Sequence, residues 1–176
     1  MRELAHKHLF DPPEGTCAVV VPVPGTAAQD TQGKWKTPCR AGYAKAAALR
    51  WPGLAEVVGT LHHHRGVTPH SLTIEREGKI GFPRLAPTAL PKFHIISLPV
   101  RMADGIEISS DWLSHQFRAL ALLCDGRVPW LASGLIVCPQ IRDESEGRGW
   151  AHWRKFADIW LSDDRFVFVD GLGHIS

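Results

Sequence analysis

Apolar residues follow two rhythms along this 176-residue chain. In four places they run without interruption: CAVVVPV (17–23), FHIISLPV (93–100), GLIVC (134–138) and FVFVD (166–170). Continuous β-branched and aromatic runs of this length predict strands buried on both faces, as in a parallel sheet. Between them apolar residues recur every three or four positions, the spacing of a helix with one buried face. The alanine-rich stretch 43–51 predicts a helix that Pro52-Gly53 ends, and Leu54, Val57, Val58 and Leu61 mark a second over 54–64. Leu113, Phe117, Leu120, Ala121 and Cys124 mark a third, with Ser110 or Asp111 as its cap. Trp150, Trp153, Ala157, Trp160 and Leu161 mark a fourth. SLTIE, a turn at Arg76-Glu77-Gly78 and Lys79-Ile80 predict a hairpin over 70–80. AAQDTQGKWKTP (27–38) and the proline-rich FPRLAPTALPK (82–92) read as loops.

The order β-α-α-β-β-β-α-β-α-β implies an α/β fold, a mixed and mostly parallel sheet covered by helices on both faces. The length suits a single domain over 1–176. Right-handed crossovers bring the segments that follow the parallel strands to one edge, where open α/β sheets bind ligands.

Composition narrows the partner. The formal charge is +2, without the clustered cations that phosphate backbones demand, so a nucleic-acid binder is excluded while one small anion is not. No C-x-x-C pair occurs among the four cysteines; Cys17, Cys124 and Cys138 sit in apolar stretches and read as buried small hydrophobes. The amino terminus MRELAHKHLFDPPEG has no apolar signal core, and no run reaches the ~18 residues of a membrane span. A reduced, cytoplasmic monomer without a membrane partner is expected.

Four segments should meet at the ligand edge: Pro24-Gly25-Thr26; the turn Cys39-Arg40-Ala41-Gly42; Pro99, Val100 and Arg101 with the following residues to Asp104; and the loop from Pro139, Gln140 and Arg142 to Gly147, Arg148 and Gly149. Gly42 opens a helix, and the first amides of a helix have no partner within it, so with the helix dipole they attract an anion. Arg40 adds a forked donor. The bland alternative is an ordinary helix start. Gly147-Arg148-Gly149 repeats the arrangement before Trp150, although Asp143, Glu144 and Glu146 would repel a diphosphate unless turned outward. His62-His63-His64 is not read as a metal site, because neighbouring helical residues point apart and ligand pairs need i, i+3 or i+4 spacing. No cofactor, metal, nucleophile elbow or Cys–His pair is expected. Asp163 and Asp164 read as capping and ion-pairing groups for Arg165.

Across 9–170 the chain resembles the macro domain, in particular a bacterial and phage group described as ADP-ribose-binding. GYAKAAALRWPGL (42–54) is similar to that group's G-x-A-x-x-A-x-x-x-F/W-P-G-L helix, IISLPVR (95–101) to its strand ending F-P-V-K, DWLSHQFRAL (111–120) to the next helix, and LSDDRFVFVD (161–170) to its L-D-D-R-F-x-V-V end. The resemblance implies a three-layer α/β/α sandwich binding ADP-ribose or a related nucleotide, free or on an ADP-ribosylated macromolecule. It puts the diphosphate on 39–42 and the phosphate and distal ribose on 139–149.

The departures bear on chemistry. The family's N-G-T turn is Pro24-Gly25-Thr26 here, so the ribose-contacting amide side chain is missing. Its adenine-recognising aspartate falls on His8. Its G-x-G phosphate turn is Arg40-Ala41-Gly42, and its P-x-x-G-x-G loop is PQIRDE. In related macro domains that remove ADP-ribose from DNA a lysine implicated in catalysis ends the strand that here ends in Arg101. A guanidinium stays protonated near neutral pH and cannot act as an amine nucleophile. Three readings follow: a non-catalytic binder; an ADP-ribosyl hydrolase using Arg101, Asp104 and His94; and a protein-interaction module whose pocket is filled, for instance by Trp35 or the acidic loop.

Overall fold

Strand β2 (Thr16–Pro24) lies at the heart of the chain, and its side chains alternate between two cores. Val19, Val21 and Val23 pack toward α1 (Gly42–Arg50) and α2 (Leu54–Arg65), while Ala18 and Val20 pack toward α3 (Ser110–Leu122) and α4 (Trp150–Trp160). A strand with helices on both sides needs apolar residues at every position, which is why the run 17–23 does not alternate. The computed structural model describes residues 1–75, 77–82, 93–102, 106, 108–127, 131, 134–142 and 148–171, without the side chains of 4–7, 126 and 127.

The other strands are β1 (Arg2–His8), β5 (His70–Ile74), β6 (Ile80–Gly81), β7 (His94–Arg101), β8 (Leu135–Pro139) and β9 (Phe166–Gly171). Among the described residues the sheet order is β1-β9-β8-β2-β7-β5-β6. Strands β1, β9, β8, β2 and β7 are parallel to one another, and β5 and β6 close the far side antiparallel. This is the mixed, mostly parallel α/β/α sandwich that the pattern predicts. The five parallel strands all end at one edge. There β2 stands between β7, reached through α1, α2 and the hairpin, and β8, reached through α3. Strand order reverses at that point, the place where such sheets take ligands.

Helix starts follow local chemistry. Ser109 caps α3, its Oγ accepting from Trp112 N at 3.1 Å. The cap is therefore one residue earlier than expected. In α4 the aromatic stripe buries Trp153, Phe156 and Ala157, as its spacing requires. Asp163 accepts from Arg165 N and Nε, and Asp164 meets the amino terminus at 3.4 Å, the structural roles expected of this pair.

Two elements escaped the pattern. β1 is polar, with Arg2 and Glu3 exposed, and among the described residues it pairs with β9 alone. Its place is fixed by that ladder, by the Met1 ammonium donating to Ser162 O at 2.8 Å, and by the Arg154–Glu3 ion pair at 3.3 Å. The expected loop 27–38 holds a short hairpin, β3 (Ala28–Gln29) and β4 (Trp35–Lys36). Asp30 makes its turn by accepting from Gln32 N and Lys34 N at 2.8 and 3.0 Å. The hairpin is seated on α2. A Cβ at Gly59 would lie 2.4 Å from the Lys36 Cα, Thr37 N donates to Ala55 O at 2.9 Å, and the Trp35 ring stacks on His63 at 3.7 Å. Trp35 is thus an anchor on α2. Residues 83–92 of the second expected loop lie outside the described residues.

Candidate functional site

At the sheet edge α1 begins without a cap. Ala41 holds the cap position in extended conformation, and its methyl group cannot accept from the amides behind it. The first intrahelical bond is Lys45 N to Ala41 O at 3.2 Å, no acidic residue lies in the first turn, and no side chain caps it. Gly42 has φ +56°, a conformation that a Cβ disfavours, and a Cβ placed there would meet nothing within 4 Å. The turn is tight and open on its outer side. α4 begins alike, with Gly149 at the cap position and no acid in the first turn.

The exit of β8 lies against the start of α1. Tyr43 Oη donates to Gln140 O at 3.4 Å, while Gln140 N is held by Val169 O at 2.8 Å. Burial pushes the Tyr43 phenol up, the Arg142 cation pulls it down and the Asp170 carboxylate pushes it up. Arg142 and Arg40 are exposed, and Arg148 is half-buried before Gly149. The arrangement offers unpaired amides, two exposed guanidinium groups and a phenol at one end of the sheet.

The neighbouring part of the edge is closed. Gly25 N donates to Arg101 O, and a Cβ at Gly25 would lie 2.8 Å from Val67 Cγ1 and 3.1 Å from Met102 Sδ. Pro24 O accepts from Thr37 Oγ1 at 3.0 Å. Val100 turns into the core beneath α3, and Pro99 and Pro139 are buried. The 24–26 turn therefore supports the rim through its backbone, with its amide at Gly25 already bonded. Arg101 is half-buried at the end of β7. His94 begins that strand, in register with Ala18, whereas Arg101 stands opposite Pro24. At about 3.3 Å per residue this separates them by roughly 20 Å, so His94 does not stand beside Arg101. Asp104, Gly147 and the acidic residues 143, 144 and 146 lie outside the described residues. Burial pushes the Cys39 thiol up to about 11, which keeps it protonated and un-nucleophilic.

Beyond the α1 turn lies a cavity of about 560 Å³ lined by His8, Phe10, Asp11, Ala46, Leu49 and Arg50. Phe10 stands edge-on to Trp51 at 4.8 Å, which fixes its ring as one wall. Phe10 N donates to His8 Nδ1 at 3.0 Å, leaving Nε2 to carry the proton of the neutral ring. The periodicity did not single out Tyr43, Asp11 or Asp170. Tyr43 was the most findable, being the residue after the glycine that opens the helix.

No protein-family model matches the chain, and no curated protein matches it. Solved structures do. The macrodomain of Thermus aquaticus DarG is similar at a TM-score of 0.58 and 16% identity, covering 97% of each chain. A protein of unknown function from Bacteroides thetaiotaomicron is similar at 0.63 and 11%, covering 97% of this chain and 98% of the other. The macrodomain of Mycobacterium tuberculosis DarG is similar at 0.58 and 14%, with the same coverage. The chain has the macro-domain fold.

Proposed function

From a macro-domain fold whose ligand edge carries unpaired amides, we propose that this chain binds ADP-ribose or a related nucleotide without hydrolysing it. The observation that carries the reading is the start of α1: uncapped, without acid and open beside Gly42, next to the exit of β8 that carries the exposed Arg142. A diphosphate satisfies those amides and gains from the helix dipole and the two cations. The cavity beside Phe10 begins one turn further along α1, within reach of a base whose diphosphate sits at Gly42. His8 Nε2 then supplies a donor where the resembling family has a carboxylate acceptor, and Asp11 on the same wall supplies an acceptor for an exocyclic amine.

Binding is favoured over hydrolysis by the chemistry of the described residues at this edge. A guanidinium at the end of β7 cannot copy an amine nucleophile, burial keeps the Cys39 thiol protonated, and His94 begins β7 at the opposite end from Arg101. The interaction-module reading loses one of its two proposed plugs, because Trp35 is stacked on His63.

Calorimetry with ADP-ribose, cyclic ADP-ribose, NAD and AMP tests the reading. Saturable heat from ADP-ribose is expected, with AMP weaker because it lacks the second phosphate. Absence of heat from all four contradicts it. Release of ADP-ribose from a modified protein or nucleic acid, lost in Arg101→Ala, would establish the hydrolase instead.

A further inference from the structure

The cavity beside Phe10 has walls of two kinds. Phe10, Ala46 and Leu49 make it apolar on one part. Leu49, in the last turn of α1, leaves 74% of its surface to solvent, apolar area that a flat ring entering the cavity would cover. The rest of the lining is polar: His8, Asp11 and Arg50. A tight turn fixes the first two relative to each other, because Asp11 N donates to His8 O at 3.2 Å and Phe10 N donates to His8 Nδ1 at 3.0 Å. The neutral imidazole carries its proton on Nε2 and is a donor to whatever enters. The Arg50 guanidinium stands 5.9 Å over the Trp51 ring, the same ring that Phe10 meets edge-on. The cavity therefore combines one carboxylate, with two acceptor oxygens, and two donor groups, an imidazole and a guanidinium.

Resting on the nucleotide reading above, we infer that this cavity selects guanine, so that the preferred ligand is a guanine nucleotide with its diphosphate at Gly42. Guanine presents two adjacent donors, N1–H and the N2 amine, and two adjacent acceptors, O6 and N7. The donors match the two oxygens of the Asp11 carboxylate, and the acceptors match Arg50 and His8 Nε2. Adenine has one donor group, its N6 amine, with the acceptors N1 and N7 on either side of it. A carboxylate brought up to that amine sets its second oxygen against the lone pair of N1 or N7, which is repulsive. The apolar walls stack on either purine alike, so the polar groups decide. The two donors do not make the cavity a second phosphate site, since the Asp11 carboxylate on the same wall would repel an anion. Asp11 and Arg50 are exposed, so water weakens each contact and the selectivity stays below that of a buried site.

Calorimetry on the full chain should compare ADP-ribose with its guanine and hypoxanthine counterparts. The guanine compound is expected to bind at least about tenfold tighter than ADP-ribose. Hypoxanthine keeps O6, N7 and N1–H but lacks the N2 amine, so its compound should fall between the two. Asp11→Asn replaces one acceptor oxygen by an amide donor. Asp11 is exposed, so the variant keeps the fold. It should bring the guanine compound to within about twofold of ADP-ribose, whose own affinity changes less. A guanine preference under tenfold in the native chain, or one that survives Asp11→Asn, overturns the inference and leaves nucleotide binding standing. Heat from none of the three compounds overturns both.

Discussion

Ser109 caps α3, while Ala41 leaves α1 uncapped, although both helices start near the same sheet edge. The contrast extends to what surrounds them. Around β2 and β7, Gly25 N is bonded to Arg101 O, Pro24 O to Thr37, and Gln116 Nε2 to Val67 O at 3.1 Å. Around α1 and β8 the first-turn amides have no side chain over them, and the bond that joins the two elements, Tyr43 to Gln140, leaves the turn itself open. One half of the edge spends its polar groups on structure; the other leaves its first-turn amides without a side-chain cap, which is what the proposed binding of a diphosphate requires. A missing cap is destabilising by about 1 kcal/mol; α1, α2 and α4 all start without a side-chain cap, but α2 carries Glu56 in its first turn, whereas α1 and α4 carry no acid there.

Acid should expose the closed half first. His62 is held at about 4 against an ordinary value of 6.5, first by burial and then by the charge of His70. Because the folded value is the lower one, the unfolded chain takes up its proton earlier. This contribution is whole above pH 6.5 and disappears as pH falls toward 4. Its size is on the order of 3 kcal/mol. Denaturant unfolding at several pH values should show the slope, and His62→Leu should remove it; an unaltered slope in the variant contradicts the assignment.

Next in size, Ala41→Asp makes α1 resemble α3. The carboxylate should cap the helix and raise stability by about 0.5–2 kcal/mol. The same change should weaken ADP-ribose more than about tenfold, or ~1.4 kcal/mol, by occupying the amides and repelling the diphosphate. Stability and affinity moving together in this variant would break the comparison. Ser109→Ala is the reciprocal change, expected to lower stability by about 1 kcal/mol with affinity unaltered. Smallest is Arg142→Ala, where an exposed cation contributes less than ~1 kcal/mol; titration should show affinity falling a few-fold and thermal unfolding unmoved.

Much of the architecture was legible because burial on both faces writes itself as uninterrupted apolar runs. β2, β7, β8 and β9 each lie within a residue or two of the run that marks them. β1 was not legible, since an edge strand paired on one side needs no such run and Arg2, Glu3 and His8 give no period. The β3–β4 hairpin was hidden because its strands are two residues each and its stability comes from α2. At the site, chain order and handedness were enough to place 24–26, 39–42, 99–101 and 139–142 along one edge. They could not tell which turns are closed. That depends on Val67, Met102 and Thr37, which are distant in sequence from Gly25 and Pro24. For the same reason His94 was grouped with Arg101, when strand direction puts them at opposite ends.

The most direct test is a set of amide nitrogen–proton NMR spectra recorded as ADP-ribose is added. Amides that capture a diphosphate shift strongly downfield, and the expected ones are Gly42, Tyr43 and Ala44, followed by Trp150 and Ala151, with Gly25 little changed. Shifts that spare the start of α1, or that centre on Gly25 and α3, would contradict the account.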